Sequence, residues 1–279
     1  MKQMSLHGRT VLITGATDGM GHRLAELAAE AGATVLLHGR DAAKLGKTEG
    51  RVRAKASGGG VRTYRADLSD LEEVRALGEE LNAREPHLDV LVNNAVVGGG
   101  ADTSRREVSA QGHELRFAVN TLAPALLTRL LEPLLSAAAA ARVVNVASMG
   151  QAPFDLDDLM FERGYEGVEA YCRSKLALIA HTFSAAARLR ERGTTVNAIH
   201  PAHLMDTSIV RESGFAPAVG VDHGAEPTLR LVADPALEAV TGRYFDRFDD
   251  AEAHSQAYDT EARERLEERL ADLLGGHGF

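Results

Sequence analysis

A chain of 279 residues, 44% hydrophobic and 25% charged, can bury roughly 75% of its unfolded surface in one globule, which argues against wholesale disorder. The 40 acids against 31 bases leave a net charge of -9, which argues against nucleic acid or an anionic membrane as the main partner but leaves room for one local basic pocket. With a single cysteine, Cys172, no intrachain disulfide forms, and with no apolar signal region at the start the expected location is a reducing cytoplasm.

Short apolar runs rich in β-branched residues alternate with helix-patterned stretches. The first run, Thr10–Thr14, leads into a helical pattern over Gly21–Ala31 that Gly32 stops. The runs Thr34–His38 and Val61–Tyr64 follow, then helical spacing over Leu71–Arg84 and the run Val90–Val92. Uncharged stretches such as Val90–Ala101 are too short and too polar for a membrane span of about 20 residues. Beyond them come a long helical pattern over Glu107–Leu135, the run Arg142–Ala147, another helical pattern over Glu166–Glu191 and the run Thr195–Ile199. A weaker run, Arg243–Phe245, and a charged helix near 259–274 close the chain. The segment 203–222 has Gly, Pro and poor periodicity, and reads as a mobile flap. Strands alternating with helices form βαβ units, and strands apolar throughout are covered on both faces. The expected architecture is one α/β domain over 1–279: a Rossmann fold with a doubly wound, seven-stranded parallel sheet.

The first strand runs into Gly15-Ala16-Thr17-Asp18-Gly19-Met20-Gly21 and then a helix. Glycines at these spacings give a tight turn, close backbone approach to a pyrophosphate and close helix–strand packing, while the helix N-terminus supplies free N–H groups. Gly15, Thr17, Asp18, Gly19, Met20 and Gly21 are therefore candidate contacts for a dinucleotide. About 20 residues on, an acid would accept from a ribose 2′-hydroxyl and repel a 2′-phosphate. Here the position is Arg40, a planar fork of donors, with Lys44 one turn into the next helix. NADP(H) is expected rather than NAD(H).

Tyr171 and Lys175 stand four apart and share a helix face. A tyrosine with a pKa of about 10 is a poor acid–base catalyst, and a nearby ammonium is expected to favour its phenolate. Ser148 would donate to a substrate carbonyl oxygen, and Asn120 would hold a water that refills the proton through Lys175. The cofactor carries the hydride; the protein supplies position and proton.

Together these residues resemble the short-chain dehydrogenase/reductase family over essentially the whole chain. The matching pieces are Thr14-Gly15-x-x-x-Gly19-x-Gly21, Ala66-Asp67-Leu68, Asn93-Asn94-Ala95, Asn120, Ser148 and Tyr171-x-x-Ser174-Lys175. Arg40-Asp41, the segment Phe154–Leu159, Ala170-Tyr171-Cys172, Val196–Pro201 and Gly242–Phe245 are most similar to the retinol-dehydrogenase and protochlorophyllide-reductase-like branch. The resemblance implies a catalytic set of Asn120, Ser148, Tyr171 and Lys175. It also implies that Asp67 and Leu68 meet the adenine, that Asn93, Asn94 and Ala95 line the adenosine ribose, and that Tyr171, Lys175 and Pro201 touch the cofactor. A homodimer or homotetramer through the helices around Leu122–Leu135 and Leu176–Leu189 fits the family, and the branch also contains monomers.

Three positions depart from the family pattern: Val96 and Ala202 stand where glycine is usual, and Asp206 where threonine is usual, with Thr207 one later. The first two read as a pocket reshaped for its substrate. Cys172 reads as a small buried thiol. His200 and His203 lack an acid or cysteine at ligand spacing, so no metal is expected. The expected function is NADPH-dependent reduction of the carbonyl of a sizeable apolar or aromatic small molecule, or the reverse alcohol oxidation. Two other readings stay open: an NADP(H)-binding regulatory protein without turnover, and a reductase of carbon–carbon double bonds.

Overall fold

The computed structural model describes residues 4–275, so the extreme ends of the expected 1–279 domain lie outside the described residues. The strands are β1 (Thr10–Ile13), β2 (Thr34–Gly39), β3 (Val61–Arg65), β4 (Val90–Asn93), β5 (Arg142–Val146), β6 (Thr195–His200), β7 (Tyr244–Asp246) and β8 (Asp249–Ala251). They form one sheet in the order β3-β2-β1-β4-β5-β6-β7-β8. Strands β1 to β7 are parallel, and β8 returns antiparallel to β7. The expected sheet of seven strands is thus corrected to eight. The extra strand, Asp-Asp-Ala and largely exposed, has no apolar run to announce it.

The helices are α1 (Gly19–Glu30), α2 (Ala42–Lys55), α3 (Leu71–Arg84), α4 (Leu115–Phe117), α5 (Ala123–Leu130), α6 (Glu132–Ser136), α7 (Gly167–Leu189), α8 (Ser208–Glu212), α9 (Asp222–Ala233) and α10 (Thr260–Leu273). Successive strand side chains point to opposite faces, so each strand feeds two cores. Val11, Ile13, Val35, Leu37, Val144 and Val146 pack with α1, α2 and α9. Leu12, Leu36, Leu91 and Val143 pack on the other face with α3, α5, α7 and α10. Leu266 and Leu270 of α10 are fully buried, and the helix is tied to α7 by Glu267, 2.8 Å from His181 Nδ1. Among the described residues no helix is long and apolar enough to cross a membrane.

After β3 the chain crosses to the far side of β1 to form β4. The carboxyl ends of β1 and β4 therefore border the crevice where strand order reverses, the usual ligand position in such sheets.

The stretch Glu107–Leu135 is not one helix. Residues 107–114 are irregular, and α4 passes through a π turn, Ala118–Leu122, before α5. Pro124 lies four residues beyond Asn120; it has no N–H for the Asn120 carbonyl, and its ring crowds that oxygen. A π turn at that place is the local solution, and such turns concentrate at functional sites.

Candidate active site

The glycine turn sits at the carboxyl end of β1. Gly15 and Gly19 have φ of 63° and 51°, where a side chain is strained. A Cβ on Gly15 would lie 2.9 Å from Ala95 Cα, and one on Gly21 would come closer than 3.0 Å to Asn94 Nδ2 and the Gly15 carbonyl. Asn94 makes this packing rigid, because its Nδ2 donates to the carbonyls of Thr14 (2.8 Å) and Gly15 (3.2 Å). Thr14 Oγ1 accepts from the backbone N–H groups of Asn94 and Ala95 at 2.9 and 3.0 Å.

A residue that sequence reasoning passed over completes the turn. His38, buried at the end of β2, accepts from Gly15 N–H at Nδ1 (3.3 Å) and faces the Ala66 carbonyl with Nε2 (3.1 Å). Burial lowers its pKa to about 4, so the ring is neutral, and its partners fix the proton on Nε2. The only sequence signal was a polar residue ending an apolar run.

Asp18 caps α1, accepting from Gly19 N–H at 2.7 Å, and its other carboxylate oxygen accepts from Ser208 Oγ at 2.8 Å. Thr17 lies against Gly39, linking the turn to the end of β2, where Arg40 is exposed. The Met20 side chain is directed toward α9, with its sulfur 3.8 Å from Thr228 Oγ1, so only its backbone faces the turn. Asp67 accepts from the N–H and hydroxyl of Ser69, and Leu68 is buried. Asn93 is turned into the core, donating to Asn145 Oδ1 (2.8 Å) and Thr128 Oγ1 (3.2 Å), so its side chain holds strands together. A turn with no room for side chains, a helix N-terminus and an exposed arginine at the next strand end fit a phosphorylated dinucleotide.

The four expected catalytic residues come together at the ends of β5, the π turn and α7. Ser148 stands near enough to the Tyr171 hydroxyl to favour its ionised form. Ser148 is held by its neighbours: its Oγ accepts from Gly150 N–H at 3.0 Å, and its carbonyl accepts from Tyr244 Oη and Gln151 Nε2, both at 3.1 Å. Asn120 is fully buried and uses its whole amide. Oδ1 accepts from Val97 N–H (2.9 Å), while Nδ2 donates to the Val97 carbonyl and to Ser174 Oγ, both at 3.0 Å. Ser174 in turn donates to the Tyr171 carbonyl at 2.7 Å, so the π turn, the loop after β4 and α7 are locked together.

The electrostatics differ from the expected pattern. Lys175, 1% exposed, donates from Nζ to the Val146 carbonyl at 2.7 Å and lies 5.9 Å from the centre of the Tyr171 ring. Burial without an anionic partner brings its pKa down to about 7. Burial also raises the pKa of Tyr171 against the opposing influence of Ser148. In the chain by itself the ammonium does not draw the phenol toward phenolate; the phenol stays protonated at neutral pH. Cys172 is half-buried with its thiol pKa raised by burial first, then by Glu166 and Glu169, which makes it an unreactive thiol.

Three walls surround this cluster. The 203–222 segment contains α8, a short helix that poor periodicity concealed; Thr207 caps it and lies 2.9 Å from where a Gly19 Cβ would stand. Asp206 points elsewhere, accepting from Arg211 Nε and Nη2 at 2.9 and 2.6 Å. Thr207 thus occupies the place beside the glycine turn. Ile209 and Ser213 of the same segment close on Gly98 in the loop after β4. That loop is fixed from below by Arg116, which is fully buried and donates to the carbonyls of Gly98 (3.0 Å) and Gly99 (2.9 Å). Glu114 and Tyr165 complete the network around Arg116. Of the departures, Ala202 is buried and Val96 partly exposed. The third wall is the segment before α10, where Gln256 pairs with both backbone groups of Phe154, and Gln151 accepts from His254 N–H at 2.7 Å.

Residues 9–215 match the short chain dehydrogenase family. The chain is similar to retinol dehydrogenase 12 of Homo sapiens, with 34% identity over 285 residues covering 98% of this chain and 88% of that protein. Among solved structures it is similar to an uncharacterized protein from Mycobacterium paratuberculosis, with a TM-score of 0.80 and 28% identity over 97% of this chain and 95% of that one. A short chain dehydrogenase from Escherichia coli CFT073, complexed with NADPH, gives a TM-score of 0.72 and 27% identity over 89% of this chain and 100% of that one.

Proposed function

The chain belongs to the short-chain dehydrogenase family, and on that premise we propose that it reduces the carbonyl of a sizeable apolar or aromatic small molecule with NADPH, and runs in reverse on the secondary alcohol, with Tyr171 as general acid and base. The meeting of Tyr171 and Ser148 beside the buried amine of Lys175, 5.9 Å from the Tyr171 ring, carries this reading.

A reduced nicotinamide, when bound, supplies the hydride. Gly15, Thr17, Asp18, Gly19, Met20 and Gly21 would hold its phosphates through the backbone and the α1 terminus, and Arg40 would meet the 2′-phosphate. Asp67 and Leu68 border the adenine. The backbone of Asn93, Asn94 and Ala95 would line the adenosine ribose, and Pro201 would touch the cofactor. Ser148 donates to the substrate carbonyl oxygen and holds it toward Tyr171. The Tyr171 hydroxyl gives its proton to that oxygen, which leaves as an alcohol. Lys175 returns a proton to Tyr171. With the Asn120 amide committed to Val97 and Ser174, a relay water at this residue would be held through its backbone carbonyl.

A phenol whose pKa burial has raised is protonated at neutral pH, the form that donates in the reductive direction.

The test is ketone-dependent NADPH oxidation over a broad panel, comparing wild type with Tyr171→Phe. Loss of turnover by about 100-fold or more in the variant is expected. Equal rates reject the mechanism.

A further inference from the structure

The registry of β2 and β3 puts a second guanidinium next to Arg40. Gly39 pairs with Arg65 across the two strands, and Arg65 Nε donates to the Arg40 carbonyl at 3.1 Å. That bond uses one donor and leaves both terminal nitrogens of the fork without a protein acceptor. Arg40, Arg65 and Lys44 have no ion pair among the described residues, in a chain where acids outnumber bases by nine and most arginines, such as Arg9, Arg62, Arg173 and Arg211, are paired. Thr17 lies on Gly39, so this cationic corner is continuous with the glycine turn.

Cations gathered at the ends of β2 and β3 beside the glycine turn favour an anion there. Arg65 is also anchored: its Nε bond holds the planar group at the strand end, so little freedom is lost when the terminal nitrogens engage a phosphate. We infer that Arg65 is a specificity-determining residue for the 2′-phosphate of the dinucleotide, acting as a second fork from the neighbouring strand beside Arg40. The inference rests on the NADP(H) reading above and adds to it that discrimination is shared between two strands.

The experiment measures binding of adenosine 2′,5′-bisphosphate and adenosine 5′-monophosphate to the full chain by titration calorimetry, with no turnover involved. Wild type is expected to prefer the bisphosphate by about tenfold or more. Arg65→Ala should weaken bisphosphate binding about tenfold and leave monophosphate binding within twofold. Arg65→Gln, which retains a donor for the Arg40 carbonyl but no charge, should behave like Arg65→Ala. Unchanged thermal melting of both variants without ligand separates this from a structural role, since the side chain is exposed. If wild type prefers the bisphosphate and both variants keep the full preference, the assignment of Arg65 is overturned while the NADP(H) reading survives. If wild type shows no preference, both fall.

Discussion

Replacing Lys175 with methionine should stabilise the protein below neutral pH while abolishing turnover. The folded chain holds the Lys175 proton only up to about pH 7, whereas an ordinary lysine holds it to 10.5. Between those values unfolding takes up a proton, so stability rises with pH; below about 7 both states are protonated and the full penalty applies. A displacement of this size corresponds to roughly 5 kcal/mol. Methionine fills similar space without charge but removes the donor to the Val146 carbonyl, which costs about 1–3 kcal/mol. Lys175→Met should therefore exceed wild type in unfolding free energy by roughly 2–4 kcal/mol at about pH 6, with the gain shrinking at about 1.4 kcal/mol per pH unit above 7. Urea denaturation followed by circular dichroism, from about pH 6 to pH 10 on both proteins, measures it. Taking the difference between variants cancels the titration of His38, Cys172 and the other shifted groups that both share. A stability difference that stays flat across this range would refute the buried, unpaired ammonium.

Two further predictions come from the glycines and the flap. Gly21→Ala places a Cβ against Asn94 Nδ2 and the Gly15 carbonyl, both held by hydrogen bonds, so it should cost at least about 2 kcal/mol and lower dinucleotide affinity. Gly46→Ala on α2, where a Cβ meets nothing, should instead gain up to about 1 kcal/mol; denaturation and cofactor titration compare the pair. Ser208→Ala removes the hydrogen bond from the flap to Asp18, and stopped-flow release of NADP⁺ should quicken by about 3- to 10-fold. An unaltered release rate would exclude that contact as a restraint on the cofactor.

The strands β1, β2, β4, β5 and β6 were legible because both faces of each are covered, which forces a near-continuous apolar run that no exposed loop imitates. Tyr171 and Lys175 were legible because four residues of helix put two side chains on one face. The strand β8 was not, since three mostly exposed residues carry no burial signal. Neither was the π turn around Asn120, because its cause is a proline ring one turn away rather than a change in periodicity. Asn93 and Asn94 look alike in sequence, yet one faces the core and the other braces the glycine turn, a distinction set by the twist of the chain leaving β4. The direction of the Tyr171 pKa was not legible for a related reason: the neighbouring charge of Lys175 is visible in a sequence, but the burial that raises the phenol depends on what packs around it.

The hairpin at the end of the sheet bears on how copies of this chain meet. A parallel sheet that stopped at β7 would show a bare row of backbone donors and acceptors on which another molecule's strand could crystallise. Strand β8 occupies that row, and its own outer margin is only three residues long and bears Asp249 and Asp250, both exposed. Two molecules approaching side by side there would bring like charges together across a margin too short to zip. Tyr244, whose hydroxyl steadies Ser148 from β7, is thereby insulated from quaternary growth along the hydrogen-bonding direction.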